Sequence, residues 1–247
     1  MNHLFHLSLI YLLLGFTPLS ATAFDDANRQ YQAEDFAGSA ASYERLLSSE
    51  GPRAAVYYNL GNSYLSLKRY GFAILAYERA RMLTPRDPDL LTNLALARKA
   101  VGSPEQLSTN PNLQAVLRYF SRDEWSWLVA GSALILGAVT LVGGWFRLPR
   151  RSYQSLVTSA GAAGFLIVVG FVVLYLRRGE SARGVILSEM AAVRLSPFEK
   201  AESIGTPGLG KMVHLGLKSG DFQYVELPGG NFQGWLASKD VAAIVPE

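Results

Sequence analysis

Two long runs without a single charged side chain, residues 125–146 and 152–176, limit what this chain can fold into more than any other feature. A helix needs roughly 20 apolar residues to cross about 30 Å of hydrocarbon, and each run supplies that length. Core helices of a soluble domain normally carry charge on a solvent face, and neither run does. The runs therefore predict two transmembrane helices joined by the short segment 147–151. Trp125, Trp127, Trp145 and Tyr175 stand near their ends, where amphipathic rings prefer the headgroup layer. No Asp, Glu, Lys, Arg or His lies inside either run, so a proton or ion path is not expected. Gly137, Gly143 and Gly144 on the first helix, and Ser159, Ala160, Ala163 and Gly164 on the second, either form close-packing faces or are ordinary small residues of membrane helices.

Charge and the N-terminus then set the orientation. Residues 24–124 carry twelve basic and twelve acidic side chains, and residues 177–247 carry eight of each. The whole net charge of +3 thus falls on Arg147, Arg150 and Arg151, in a cytoplasmic loop if basic flanks stay inside. Arg177 and Arg178 pull the other way. Residues 4–14 form an apolar stretch, followed by Pro18 and the triplet Ala21-Thr22-Ala23, so residues 1–23 read as a secretory signal cleaved before Phe24. The stretch before it lacks Lys and Arg, which leaves an uncleaved anchor open. An exported first domain places both flanking domains in the periplasm, on the outer face of a bacterial inner membrane.

The chain matches itself at an offset of 34 residues. Ala27-Asn28 aligns with Gly61-Asn62, Phe36 with Tyr70, and Tyr43-Glu44-Arg45 with Tyr77-Glu78-Arg79; a weaker third copy places Asn93-Leu94-Ala95 on Asn59-Leu60-Gly61. Residues 24–108 thus predict stacked helix pairs, clearest at 54–87. Tyr57, Leu60, Tyr64 and Leu67 share one helical face, Gly61 and Ala73 are small where helices approach, and Lys68-Arg69-Tyr70-Gly71 supplies a turn. Pro85 ends the second helix. In these positions the segment closely resembles the tetratricopeptide repeat family. That resemblance implies a concave groove at Asn28, Tyr31, Tyr58, Asn62, Leu65 and Ser66, suited to a protein partner. Asn28 and Asn62 either meet a peptide backbone there or cap and solvate helices. The family's carboxylate clamp needs basic residues where this sequence has Phe24, Tyr58 and Asp89, so capture of a chaperone C-terminus is not implied.

Residues 109–124 form a juxtamembrane segment. Leu113, Val116, Leu117 and Phe120 predict a short amphipathic helix, lying in the interface or capping the repeats. Residues 183–247 change to period two, with strands at Ala192-Val193-Arg194, residues 211–215, residues 224–227 and Gly234-Trp235-Leu236 separated by Gly, Pro, Ser and Asp turns. The order resembles a bacterial SH3-like domain, a small all-β barrel. By that resemblance Tyr224 and Trp235 line a ligand face for peptidoglycan or peptide, unless they form the core. Residues 205–212 have P-loop spacing, but Met212 replaces the Mg²⁺-binding hydroxyl and a strand follows where a helix must begin, so they read as a turn.

The chain has no cysteine. His3 and His6 sit in the apolar N-terminal stretch, and His214 alternates with apolar residues in a strand. No catalytic set, metal site or cofactor is therefore expected, and the charge-neutral outer domains argue against nucleic acid. The full order of signal, repeats, hairpin and SH3-like domain resembles the TPR protein of the bacterial aerotolerance (Bat) operons. That resemblance implies a scaffold beside von Willebrand A-domain membrane proteins and a MoxR-type ATPase, in envelope maintenance or stress tolerance. The other reading makes the C-terminal domain the functional end, binding cell wall with the repeats as spacer.

Overall fold

The computed structural model describes residues 19–103, 117, 119–146, 149–177, 182–228 and 232–245. Most of the expected signal segment lies outside the described residues, as do Leu113 and Val116 of the juxtamembrane segment, Arg147 and Arg178.

Among the described residues, five helices come first: α1 (Leu19–Gln32), α2 (Phe36–Glu50), α3 (Ala54–Ser66), α4 (Tyr70–Leu83) and α5 (Pro88–Ala100). The sequence period reappears in the backbone. Glu34 and Lys68, equivalent in the two copies, both adopt a positive φ (61° and 58°) and close the α1–α2 and α3–α4 turns. Arg69 N–H donates to Tyr64 carbonyl at 2.9 Å, as Asp35 N–H does to Gln30 carbonyl. Tyr70 and Gly71, expected in the turn, belong to α4. That helix stops at Leu83 ahead of Pro85, and Asp87 caps α5 by accepting from the Asp89 and Leu90 amides. Inside the pairs, Tyr43 and Tyr77 are fully buried with Ala27, Ala73 and Ala80. A Cβ on Gly61 would stand 2.5 Å from the Tyr77 ring, so only glycine permits this helix separation. Between α4 and α5, buried Glu78 pairs with Arg98 and, at 3.1 Å, with Arg81.

Helices α6 (Arg122–Trp145) and α7 (Arg150–Leu176) form an antiparallel hairpin, and both are long and apolar enough to cross a membrane. Ser121 opens α6 with a capping box completed by Glu124. The two helices touch through Gly170 on Val129, with Ser132 and Ala163 also buried and Gly143 lying 3.9 Å, by an added Cβ, from Leu156. Gly131, Gly137, Gly161 and Gly164 face open space instead. Leu134, Leu141, Phe165, Val168 and Phe171 are exposed, so the outer face of the hairpin is apolar.

Among the described residues, seven strands follow: β1 (Arg183–Ile186), β2 (Val193–Arg194), β3 (Ser203–Gly205), β4 (Met212–Ser219), β5 (Phe222–Glu226), β6 (Gln233–Ala237) and β7 (Val241–Ala243). They pair antiparallel in the order β3-β2-β6-β5-β4-β1-β7. The expected strands are β2, β4, β5 and β6; β1, β3 and β7 add to them. The expected barrel is corrected here: the sheet is open, with β3 and β7 as unjoined edges. The physical reason lies at β7. Its edge turns towards α4, whose Arg79 donates to the carbonyls of Ala243 (2.8 Å) and Ile244 (3.1 Å). A side chain from the helical module covers the acceptors that a closing strand would have paired.

Candidate partner-binding site

The expected groove residues lie on α1 and α3, the first helices of their pairs. Tyr31, Tyr58, Asn62 and Leu65 are half-buried and Ser66 is exposed. Asn28 and Asn62 anchor a hydrogen-bond ladder that repeats with the sequence. Asn28 Oδ1 accepts from Tyr43 Oη (2.6 Å) and from Asn59 Nδ2 on the next repeat (3.0 Å). Asn62 Oδ1 accepts from Tyr77 Oη (2.7 Å) and from Asn93 Nδ2 (2.9 Å), which also reaches Tyr58 Oη at 3.1 Å. Each asparagine thus ties the two helices of its own repeat to the first helix of the next. Their carbonyl oxygens are engaged within the stack, so a ligand backbone would meet Nδ2 and the ring and aliphatic surfaces of Tyr58 and Leu65. Burial raises the phenol pKa of Tyr43 and Tyr77 above the ordinary tyrosine value, keeping both hydroxyls as donors.

Asn59 and Asn93 belong to this site and were not among the expected groove residues. Their signal was present, since they occupy the same position one period apart, but spacing does not tell which amide faces which.

The second-helix side of the stack is already occupied. Gly71 of α4 lies so close to the sheet that a Cβ would stand 2.8 Å from Leu209 Cδ1 and 3.1 Å from Ile186 carbonyl oxygen. Gly210, with φ 73°, presses on Ile74 and Val101. The P-loop-like stretch, residues 205–212, is therefore the β3–β4 connection, with Gly205 ending β3 and Met212 opening β4, and it seats the sheet on α4. Val185 and Ile244 join the buried core of the repeats. Arg79 completes the joint: burial lowers its guanidinium pKa, and the Tyr57 ring lies 5.8 Å from it. A cleft of ≈ 580 Å³ remains between α2, α3, α4 and the sheet.

At the other expected site, Tyr224 and Trp235 stand opposite each other on β5 and β6, rings edge-on at 5.4 Å and half-buried. His214 is exposed on β4 opposite Arg183 and Glu226. Among the described residues, no three His, Asp or Glu side chains come together as a metal site.

The repeats are also fastened to the hairpin. Arg86, just after α4, pairs with Glu124 at 2.6 Å and lies over the rings of Tyr119 (5.1 Å) and Phe120 (5.2 Å). Arg177, at the end of α7, donates to Phe120 carbonyl at 2.8 Å. Leu117, Trp125 and Val173 pack beneath.

Comparison with known proteins agrees with this geometry at one place. Residues 54–87, α3 and α4 with their flanks, match the tetratricopeptide repeat family. No curated protein matches the chain. The chain thus contains a tetratricopeptide repeat, a module typical of protein–protein interaction, joined to an antiparallel sheet and two helices of membrane-spanning length.

Proposed function

We propose that this protein is a non-enzymatic scaffold of the bacterial inner membrane, with the repeats and the sheet both periplasmic. The repeat groove takes a segment of a membrane or periplasmic partner. One observation supports the reading: the sheet packs on α4 through Gly71 and Arg79, while Tyr31, Tyr58, Leu65 and Ser66 belong to the first helices α1 and α3 and take no part in those contacts. Resemblance to the Bat-operon TPR proteins supports partners of the von Willebrand A-domain type and a role in envelope maintenance or aerotolerance. A second reading, an SH3-like domain that binds peptidoglycan or peptide, rests on the paired rings of Tyr224 and Trp235.

A photoreactive residue at Ser66, in cells, tests the groove, because Ser66 is exposed and outside the asparagine ladder. A discrete membrane-protein adduct, lost in Tyr58→Ala, supports the scaffold. No adduct from Ser66, together with a Tyr224 probe that crosslinks to cell wall, would transfer the function to the sheet.

A further inference from the structure

Four basic residues, two near each end of the hairpin, are treated differently. At the end near the repeats, Arg86 pairs with Glu124, and Arg177 is buried against the Phe120 carbonyl. At the turn, Arg150 and Arg151 are exposed, and their guanidinium groups make no hydrogen bond or ion pair among the described residues. Around them stand Trp145 (84% exposed), Phe146 (60%) and Tyr153 (57%). From residue 125 to residue 178 the chain contains no acidic side chain. Nor do these arginines serve the helix they begin. They occupy the first turn of α7, where positive charge opposes the helix dipole and an acid would be favoured.

Resting on the membrane reading above, we propose that the start of α7, Arg150 and Arg151 together with Trp145, Phe146 and Tyr153, is a binding surface for anionic phospholipid headgroups. The aromatic rings sit at headgroup depth, and Arg150 and Arg151 provide two planar, permanently charged forks for phosphate. Charge complementarity selects this partner: an unpaired cationic patch at the membrane surface meets lipid phosphate at high local concentration. The attraction is worth up to about five-fold in local lipid occupancy per arginine, and falls as salt rises.

The full chain, purified in detergent and reconstituted into vesicles of phosphatidylcholine with a minor share of phosphatidylglycerol, tests this. Phospholipid retained on the protein after detergent extraction is compared with the bulk composition. Retained phosphatidylglycerol should exceed its bulk share several-fold. R150Q/R151Q should return it to the bulk ratio, R150K/R151K should keep most of the enrichment, and inorganic phosphate should compete only as strongly as equal ionic strength. Bulk composition around the native chain, or equal enrichment in the glutamine variant, overturns the proposal. So does capture of an acidic soluble protein by the turn without lipid enrichment. Failure of the native chain to float with pure phosphatidylcholine vesicles overturns the membrane reading itself, a separate result.

Discussion

Asn62 accepts two hydrogen bonds inside the stack, from Tyr77 on its own repeat and from Asn93 on the next; its loss leaves the Tyr77 hydroxyl unmet and Asn93 with Tyr58 alone. Asn62→Leu should therefore lower stability by about 1–3 kcal/mol in urea titration. Asn62→Asp keeps the acceptor oxygens and should cost less. It removes the amide donor, so it separates groove binding from stack integrity: partner recovery lost with stability kept assigns the donor to the ligand. Three tyrosines make a second prediction. Burial raises the pKa of Tyr43, Tyr64 and Tyr77, and in Tyr64 the hydrogen bond to Glu44 raises it further. The folded state then holds these phenolic protons more tightly than the unfolded chain does. Their contribution is complete below the unfolded value of about 10 and is lost as pH rises above it. Phenolate absorbance should show three late-titrating tyrosines in the folded protein, and urea midpoints should fall above pH about 10. Normal titration of all tyrosines would refute the burial assignment.

Helix packing in the hairpin depends on which small residues face inward. A side chain at Gly170 meets Val129 Cγ2 at 2.2 Å from the Cβ alone, whereas one at Gly164 meets nothing within 4 Å. Gly170→Leu should separate α6 from α7, costing on the order of 1–3 kcal/mol in thermal stability in detergent, and Gly164→Leu should change little. Equal effects would place the interface elsewhere. The two helices were legible in the sequence because their apolar runs are long and carry no charge. Their contact face was not: Gly131, Gly137, Gly161, Gly164 and Gly170 are alike in composition, and only the partner helix distinguishes them. The repeats were legible for a similar reason, since Gly61, Ala73, Tyr77 and Pro85 meet steric demands that recur every 34 residues. Strands β1, β3 and β7 were not, because runs of three or four residues are too short to show a period. An edge strand sealed by a distant arginine carries no local mark at all.

The repeats and the sheet pack together through a shared core and Arg79, and this was the least legible level. Equal counts of acids and bases in each module hide the fact that one arginine lies at their joint. Arg45 and Arg79 are equivalent by period, yet Arg45 points into solvent and donates to Ala41 carbonyl and Ser42, while Arg79 holds the end of the sheet. The difference lies in the neighbours: repeat two offers Gly71, Ile74 and Leu75 to the sheet where repeat one has Ala37, Ala40 and Ala41. Val185 and Ile244, 0% and 3% exposed, are buried against the repeats, so residues 183–247 alone would present them to water. That fragment should give the poorly dispersed amide spectrum of an unfolded or loosened chain. In the full chain, Arg79→Met keeps the aliphatic bulk but removes both charged hydrogen bonds and leaves two strand-edge carbonyls unmet. A loss of about 2–3 kcal/mol is expected, with hydrogen exchange accelerated first at β7 and β1. Arg45→Met should stay within about 0.5 kcal/mol of the native chain. Matching effects from the two substitutions, or a well-folded fragment, would mean that the sheet holds its shape without the repeats. The scaffold would then be two modules on a tether, and the groove would have no fixed position relative to the sheet.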